Sequence, residues 1–330
     1  MTYILVDTAN TFFRARHVSS RGTDLDTKIS LAFHILFNSL KKANTMFSGS
    51  HVVFCLEGRS WRKDFYEPYK KNRKVVADKR TEREKEEDDF WWEAFDHFCT
   101  FVKENTNCTV LREPTSEADD LIALWIQAHP DDKHVVISSD SDFYQLITPN
   151  VSLYNGVANQ IVTANGFYDE KDRPIVDKKT GETKLPPNPE WLLFEKCMRG
   201  DSADNVFSAY PKVRKNKLEE AFADRENQGF VWNNLMLQRW TDHNGVEHRV
   251  KECYERNKKL IDLTQQPEEI KTKVFAEIFQ AQNPKHVDQV GIRFMKFCAK
   301  FGLTKLSEQP TDHAQYLNAG YPRVESQANN

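Results

Sequence analysis

Tyr3-Ile4-Leu5-Val6-Asp7 begins the chain with an apolar run that stops on a carboxylate. The pattern recurs twice. Val52-Val53-Phe54-Cys55-Leu56 runs into Glu57, and Val135-Val136-Ile137-Ser138-Ser139 runs into Asp140, with Asp142 two residues beyond. Short apolar runs bounded by polar residues read as strands buried on both faces, the habit of a parallel sheet. In open α/β sheets the ligand crevice lies outside the carboxyl ends of such strands. Acids gathered there repel one another, and a divalent cation, or a pair of them, is the simplest relief.

Outward from these strands the apolar spacing turns helical. Ile29, Leu31, Phe33, Leu36, Leu40 and Ala43 predict a helix over Thr27 to Met46, and Trp91, Phe95, Phe98, Phe101 and Val102 predict another. Cys108 to Leu111 and Val151 to Tyr154 read as further strands. Ser116 to His129 reads as a helix with Ser116 at its N-cap. The alternation predicts an α/β fold: a mostly parallel central sheet flanked by helices.

Nearly every residue from Asp78 to Asp89 is charged, so that run cannot bury a face and is expected to be exposed and mobile. Between Asp169 and Pro189 the composition shifts to charged, Pro and Gly residues, and Lys178-Lys179-Thr180-Gly181 predicts the turn of an inserted hairpin or long loop. From Trp191 helical spacing dominates as far as Phe301. The expected division is an α/β domain over 1–190, with a mobile arch near 60–90 and the insertion near 169–189. A helical domain over 191–306 and a polar tail over 307–330 follow.

The chain has 330 residues, a net charge of −3 and 29% charged residues, a polar exterior around an ample core. Such a near-neutral sum does not announce a nucleic-acid binder, but an acidic metal site would mask a basic surface, so distribution decides. None of the six cysteines forms a C-x-x-C pair, which points to buried free thiols rather than zinc or disulfides. His17, His34, His51, His97, His129 and His134 show no metal-ligand spacing. No signal-peptide pattern or membrane-length apolar window is evident, so a cytoplasmic, membrane-free protein is expected.

Glu117-Ala118-Asp119-Asp120 sets three acids in four positions, more than a helix cap needs, with Glu117 and Asp120 neighbours on one helix face. Ser139-Asp140-Ser141-Asp142 and Gly200-Asp201-Ser202-Ala203-Asp204-Asn205 are each ordinary turns when read singly. Taken together the acids suit divalent ions engaged in phosphoryl displacement. Mg²⁺ fits a set made only of oxygen donors. Arg62, Lys63, Lys70, Lys71, Arg73 and Lys74 alternate with Trp61, Phe65, Tyr66 and Tyr69, a mixture suited to phosphate contact and base stacking. Lys212, Arg214, Lys215 and Lys217 form a second basic cluster placed to contact a duplex backbone.

These motifs, in this order, resemble the structure-specific 5′ nucleases, the flap endonuclease and 5′→3′ exonuclease family, including its phage ribonuclease H branch. The resemblance rests on Val6-Asp7, Tyr69-Lys70-Lys71-Asn72-Arg73, Glu117 to Asp120, Ser138 to Asp142 and Gly200 to Asn205. Trp61-Arg62-Lys63-Asp64-Phe65, Lys258 to Asp262 and Phe301 to Leu306 extend it to about residues 3–306. It implies a PIN-like nuclease core and a helix–turn–helix element in a duplex-binding helical region. Asp7, Glu117, Asp119 and Asp140 are implied at a first Mg²⁺, and Asp142, Asp201 and Asp204 at a second, with Mn²⁺ able to substitute. Lys70 and Arg73 are implied as catalytic and, with Tyr69, as contacts to the reacting phosphate.

The implied substrates are DNA bearing a 5′ flap or an RNA primer, acted on by a monomer during replication. A single-strand-binding protein or clamp is the candidate protein partner. Two departures stand out. Glu57 replaces the usual Asp after the second strand, and Phe207-Ser208-Ala209-Tyr210-Pro211-Lys212 has no Gly where the family's turn is Gly-rich. The other readings of the same residues are a PIN-type single-strand ribonuclease and a non-catalytic DNA-junction binding protein.

Overall fold

Five short strands pair in parallel through β1 (Thr2–Asp7), β2 (His51–Cys55), β3 (Thr109–Leu111), β4 (Lys133–Ile137) and β5 (Val151–Asn155). Antiparallel β6 (Gln160–Thr163) and β7 (Gly166–Asp169) complete the sheet, in the order β3-β2-β1-β4-β5-β6-β7. The structure, a computed structural model, describes residues 1–18, 24–283 and 286–322. The side chain of His17 lies outside the described residues. β1 is buried almost from end to end, and no residue of β2 is exposed, which is why neither alternates polar and apolar side chains.

The chain divides into two compact units. One comprises Met1–Arg59, Thr81–Pro187 and Glu268–Asn330; the other comprises Ser60–Arg80 and Asn188–Pro267. These bounds differ from the expected domains. The segment from Glu268 onward joins the sheet unit because the helix Val290–Lys300 carries Phe294 and Phe297 into the main core. Phe294 lies 5.0 Å from Phe37 and Phe297 lies 4.5 Å from Phe101, ring centre to ring centre. Each such buried ring stabilises the fold by roughly 2–3 kcal/mol, more than the polar surroundings in sequence suggest.

The expected tail is likewise part of this core. Pro310–Asn318 is a helix that buries Tyr316 and Leu317, while residues 323–330 lie outside the described residues. The charged run near 78–89 is mostly helical. A capping box between Thr81 and Glu84 starts the helix Glu82–Asn105, whose first two turns stay largely exposed while Trp91, Phe95 and Phe98 reach the core. A run that buries no face can therefore still be helical when it is capped and continuous with an amphipathic stretch. The insertion does form a hairpin, with an antiparallel bridge between Val176 and Thr183.

In the second unit the helices Pro189–Arg199, Lys215–Ala223, Phe230–Met236 and Val250–Ile261 enclose Phe194, Met198, Leu218, Leu235 and Val250. A short hairpin, β8 (Arg239–Thr241) and β9 (Glu247–Arg249), precedes the last of these helices. It went unread in sequence because three-residue strands leave no periodicity. All six cysteines are free, and among the described residues no helix is long and apolar enough to cross a membrane.

Candidate active site

The chain leaves β1 toward β2 on one side and reaches β4 on the other, so the strand order reverses at β1. A crevice opens at the carboxyl end of such a switch point. Asp7 ends β1 level with Cys55 of β2, and Val6 pairs with Ile137 of β4. Ser138, Asp140 and Glu57 therefore follow within two or three residues of the same edge. Asp7 is 4% exposed, and its Oδ2 accepts a 2.8 Å hydrogen bond from Ser138 Oγ. Burial pushes its carboxyl up to about 7; the charges of Glu57 and Asp140 add to the rise, against the Ser138 bond. A buried acid opposed by two neighbouring acids is the local imbalance that a bound cation corrects.

Glu57 is held by the next chain segment. Its Oε2 accepts from the Ala118 N–H at 3.2 Å, while Gly58 and Arg59 donate their N–H groups to the carbonyls of Ser116 (2.8 Å) and Pro114 (2.7 Å). A Cβ on Gly58 would sit 2.3 Å from the Glu113 carbonyl oxygen and 2.7 Å from that of Ser116, so only glycine permits this approach. Glu113 braces the loop from behind, its Oε2 accepting from Thr115 N (2.8 Å), Thr115 Oγ1 (2.7 Å) and Ser116 Oγ (2.8 Å). Gly58→Ala is expected to lower stability by about 2 kcal/mol or more, the range for forced backbone displacement, and to move Glu57 from its place. A thermal melt equal to the wild type would show that the loop shifts freely.

Ser116 is consequently not the N-cap. Its hydroxyl is bound to Glu113, and Glu117 caps the helix Ala118–Ala128 in a reciprocal box with Asp120. Asp120 is 0% exposed and its Oδ2 accepts from the Glu117 N–H at 3.2 Å. Asp120, counted among the ligands in sequence, thus has one carboxylate oxygen at the helix start. Half-buried Asp119 stays near the sheet-end acids. The buried Cys55 thiol reports that gathering: burial pushes it up, and the charges of Asp7, Glu57 and Asp119 push it further.

Asp140 caps a 3-10 turn over Ser141–Leu146, its Oδ1 accepting from the Asp142 N–H at 2.9 Å, and its own N–H donates to Ser138 Oγ at 3.0 Å. Asn10, which sequence reading passed over because a helical Asn carries no motif, fixes this loop. Its Oδ1 accepts from the Ser139 N–H (3.0 Å) and Oγ (2.9 Å). Among the described residues no three His, Cys, Asp or Glu side chains form a ready-made metal cage. The donors that gather are all carboxylates around a buried acid, an oxygen-only set suited to a hard divalent cation.

Asp201 and Asp204 lie in the second unit. Gly200, at φ 78°, turns the chain out of the helix Pro189–Arg199; a Cβ there would lie 2.3 Å from the Val206 carbonyl. Asp201 and Val206 then bridge through N–H···O bonds of 2.8 and 2.7 Å. Burial alone would raise the Asp201 carboxyl, but the Lys196 ammonium at 2.8 Å and the Ala203 and Asp204 amides hold it below the usual range. Asp204 meets the Tyr69-Lys70-Lys71-Asn72-Arg73 motif. Its Oδ2 accepts from Tyr69 OH at 3.1 Å and lies 3.6 Å from Lys70 Nζ, and its Oδ1 accepts from Arg73 at 2.6 Å. Lys70 itself adopts a left-handed backbone, φ 54°, one of the sparsely populated conformations that concentrate at functional sites.

Two members of the expected nucleic-acid surface are buried here. Arg62 is 1% exposed, donating Nε–H to the Leu260 carbonyl at 2.8 Å and stacking on Trp61 at 4.7 Å. Tyr69 is 4% exposed, with its hydroxyl bound to Asp204 and Lys70 Nζ 5.1 Å from its ring centre. Lys63, Lys212, Arg214 and Lys215 remain exposed, and Lys217 lies half-buried over the Tyr210 ring at 5.5 Å.

The comparisons with known proteins agree with this architecture. DNA polymerase I of Rhizobium leguminosarum is 30% identical over 234 residues, 66% of this chain and 20% of the polymerase. Ribonuclease H of Enterobacteria phage T4 is 28% identical over 203 residues, 57% of this chain and 56% of that protein. The chain thus spans less than two thirds of either relative. In fold it is similar to a bacteriophage T5 flap endonuclease solved as a pseudo-enzyme-product complex with DNA and metal ions. That likeness has a TM-score of 0.57 at 18% identity and covers 96% of this chain and 100% of that one. The description "5'-3' exonuclease, N-terminal resolvase-like domain" matches residues 2–179, more than half of the sequence, and the chain belongs to that family.

Proposed function

We propose that the protein is a Mg²⁺-dependent 5′ nuclease that trims 5′ flaps and RNA primers annealed to DNA. The observation that carries this reading is Asp7, a buried carboxylate at the switch point of the sheet, raised to about 7 by burial and by Glu57 and Asp140. Asp7, Glu57, Glu117, Asp119, Asp140 and Asp142 would hold the ions, and the oxygen-only donor set fits a pair of Mg²⁺. When bound, such ions activate water for in-line attack on a phosphodiester and offset charge on the attacking and leaving oxygens.

The chain's own groups do the rest. Ser138 and Asn10 fix the Asp140 loop, and the Gly58 contact fixes Glu57. Lys70 and Arg73 would offer positive charge to a substrate phosphate, giving up Asp204 for it. Lys212, Arg214 and Lys215 grip duplex phosphates, which makes binding steeply dependent on salt. The names of the phage relative and the T5 enzyme support ribonuclease H and flap cleavage alike, and the Asn188–Pro267 helices favour this reading over a small single-strand ribonuclease.

The test is a 5′-flap duplex and an RNA-primed duplex, each end-labelled, with Mg²⁺ or with EDTA. Cleavage of both in Mg²⁺ alone, reduced at least about 100-fold in Asp140→Asn, is expected, since even residues behind the ligands contribute 10- to 100-fold at metal sites. Binding without cleavage would make the protein a junction binder. Intact activity in Asp140→Asn would remove Asp140 from the site.

A further inference from the structure

The basic and aromatic stretch near 61–73 is split by the fold, and the part left outside has a shape of its own. Trp61 and Tyr69 are buried, at 8% and 4% exposure, whereas Phe65 is 45% exposed. Phe207, from the Gly-less turn of the same unit, is 56% exposed and meets Tyr66 edge to face, with ring centres 6.3 Å apart at 86°. Tyr66 and Phe65 each carry a cation from the helix Val250–Ile261: the Arg256 guanidinium lies 4.9 Å from the Tyr66 ring centre and Lys259 Nζ lies 5.3 Å from that of Phe65.

Single exposed aromatics are ordinary. These rings differ in being held. The Phe207 carbonyl accepts from Arg256 at 3.1 Å and from Asn257 Nδ2 at 2.8 Å, and Asn257, itself 0% exposed, also donates to the Cys197 carbonyl at 2.8 Å. The backbone beneath an exposed ring is therefore fixed by a buried amide before any ligand arrives, which lowers the ordering cost of binding.

We infer that Phe65, Tyr66 and Phe207 form a stacking platform for an unpaired nucleobase, with Arg256 and Lys259 facing the adjoining phosphates. Paired bases hide their faces in the duplex stack, so an open aromatic face flanked by cations suits a single strand. The inference rests on the nucleic-acid reading above but uses none of the carboxylates.

The 330-residue chain and a fluorescein-labelled oligothymidylate, followed by anisotropy in EDTA, provide the test. Phe207→Ala is expected to weaken binding roughly 5- to 100-fold, the range for one stacked base, with Phe65→Ala similar and Phe207→Trp near wild type. Lys259→Ala should lower the slope of log K against log salt by about 0.7, one phosphate on a single strand. Circular dichroism of each variant controls for folding. Wild-type affinity in both alanine variants overturns the platform. So does wild-type affinity in Phe207→Leu, which would mark an apolar protein-docking surface instead. Flap cleavage by the wild type in Mg²⁺ is measured separately, so failure of the nuclease reading would show there and leave the binding result standing.

Discussion

Asp7→Asn is expected to raise the melting temperature of the metal-free protein at pH 8 while abolishing Mg²⁺-dependent cleavage. The folded carboxyl has its pKa near 7 against 3.8 in the unfolded chain, through burial first and then the charges of Glu57 and Asp140. Between those values the folded state holds a proton that the unfolded state has released, so stability falls as pH rises from about 4 to about 7. Above pH 7 the whole cost is present, at most about 4 kcal/mol at roughly 1.4 kcal/mol per tenfold change in proton affinity. Asparagine keeps an acceptor for Ser138 and carries no charge. The gain should reach several degrees at pH 8 and shrink toward pH 5. Adding Mg²⁺ should stabilise the wild type more than the variant. A variant that melts below the wild type at pH 8 in EDTA would show that the Asp7 charge is not a cost to the fold.

The acids at the strand ends were legible because parallel strands are buried on both faces and end where the crevice begins. Finer placement was not, for identifiable reasons. Asp119 and Asp120 look equivalent in sequence; that Asp120 is the one facing the Glu117 N–H depends on a one-residue shift of the helix start, with Ser116 bound to Glu113. Arg62 announces its charge but not the Leu260 carbonyl, 198 residues away, that takes it inside. Gly58 reads as a loop glycine until the Glu113–Ser116 backbone is laid against it. His51, His129 and His134 share no spacing, yet three different elements bring them around the Tyr3 ring, at 6.4, 4.8 and 5.7 Å. Contacts of this kind are set by tertiary packing, to which local periodicity is blind.

Three buried histidines lead to the second large effect, a loss of stability as pH falls from about 6.5 toward 4. His51, His134 and His313, 1%, 2% and 2% exposed, are each lowered to about 4, chiefly by burial. Neighbouring basic side chains and the N-terminus act in the same direction on all three: His129 on His51, His129 and the N-terminal amine on His134, and Lys41 and His34 on His313, with Asp132 and Asp312 opposing on the last two. A depressed folded pKa means that the unfolded chain takes up protons first, so stability is full above about 6.5 and drains away below it. Each ring is worth at most roughly 3 kcal/mol. Asp7 works in the opposite sense over the same window, but one carboxyl worth at most about 4 kcal/mol cannot offset three rings, so acid wins. Asp7→Asn removes even that offset and should steepen the acid limb.

His134 can be tested alone. Among the described residues neither ring nitrogen finds a partner at hydrogen-bond geometry, although the Asp132 backbone and carboxylate both pull toward protonation, and the ring stacks on Tyr3 at 24°. A phenyl ring keeps that stacking and carries no buried polar atoms. His134→Phe is therefore expected to gain about 1–2 kcal/mol at pH 7, the cost of an unsatisfied buried group, and to move the midpoint of acid unfolding to lower pH. An unchanged acid midpoint would mean that His134 is not among the groups whose protonation unfolds the sheet, leaving His51 and His313 to account for the limb.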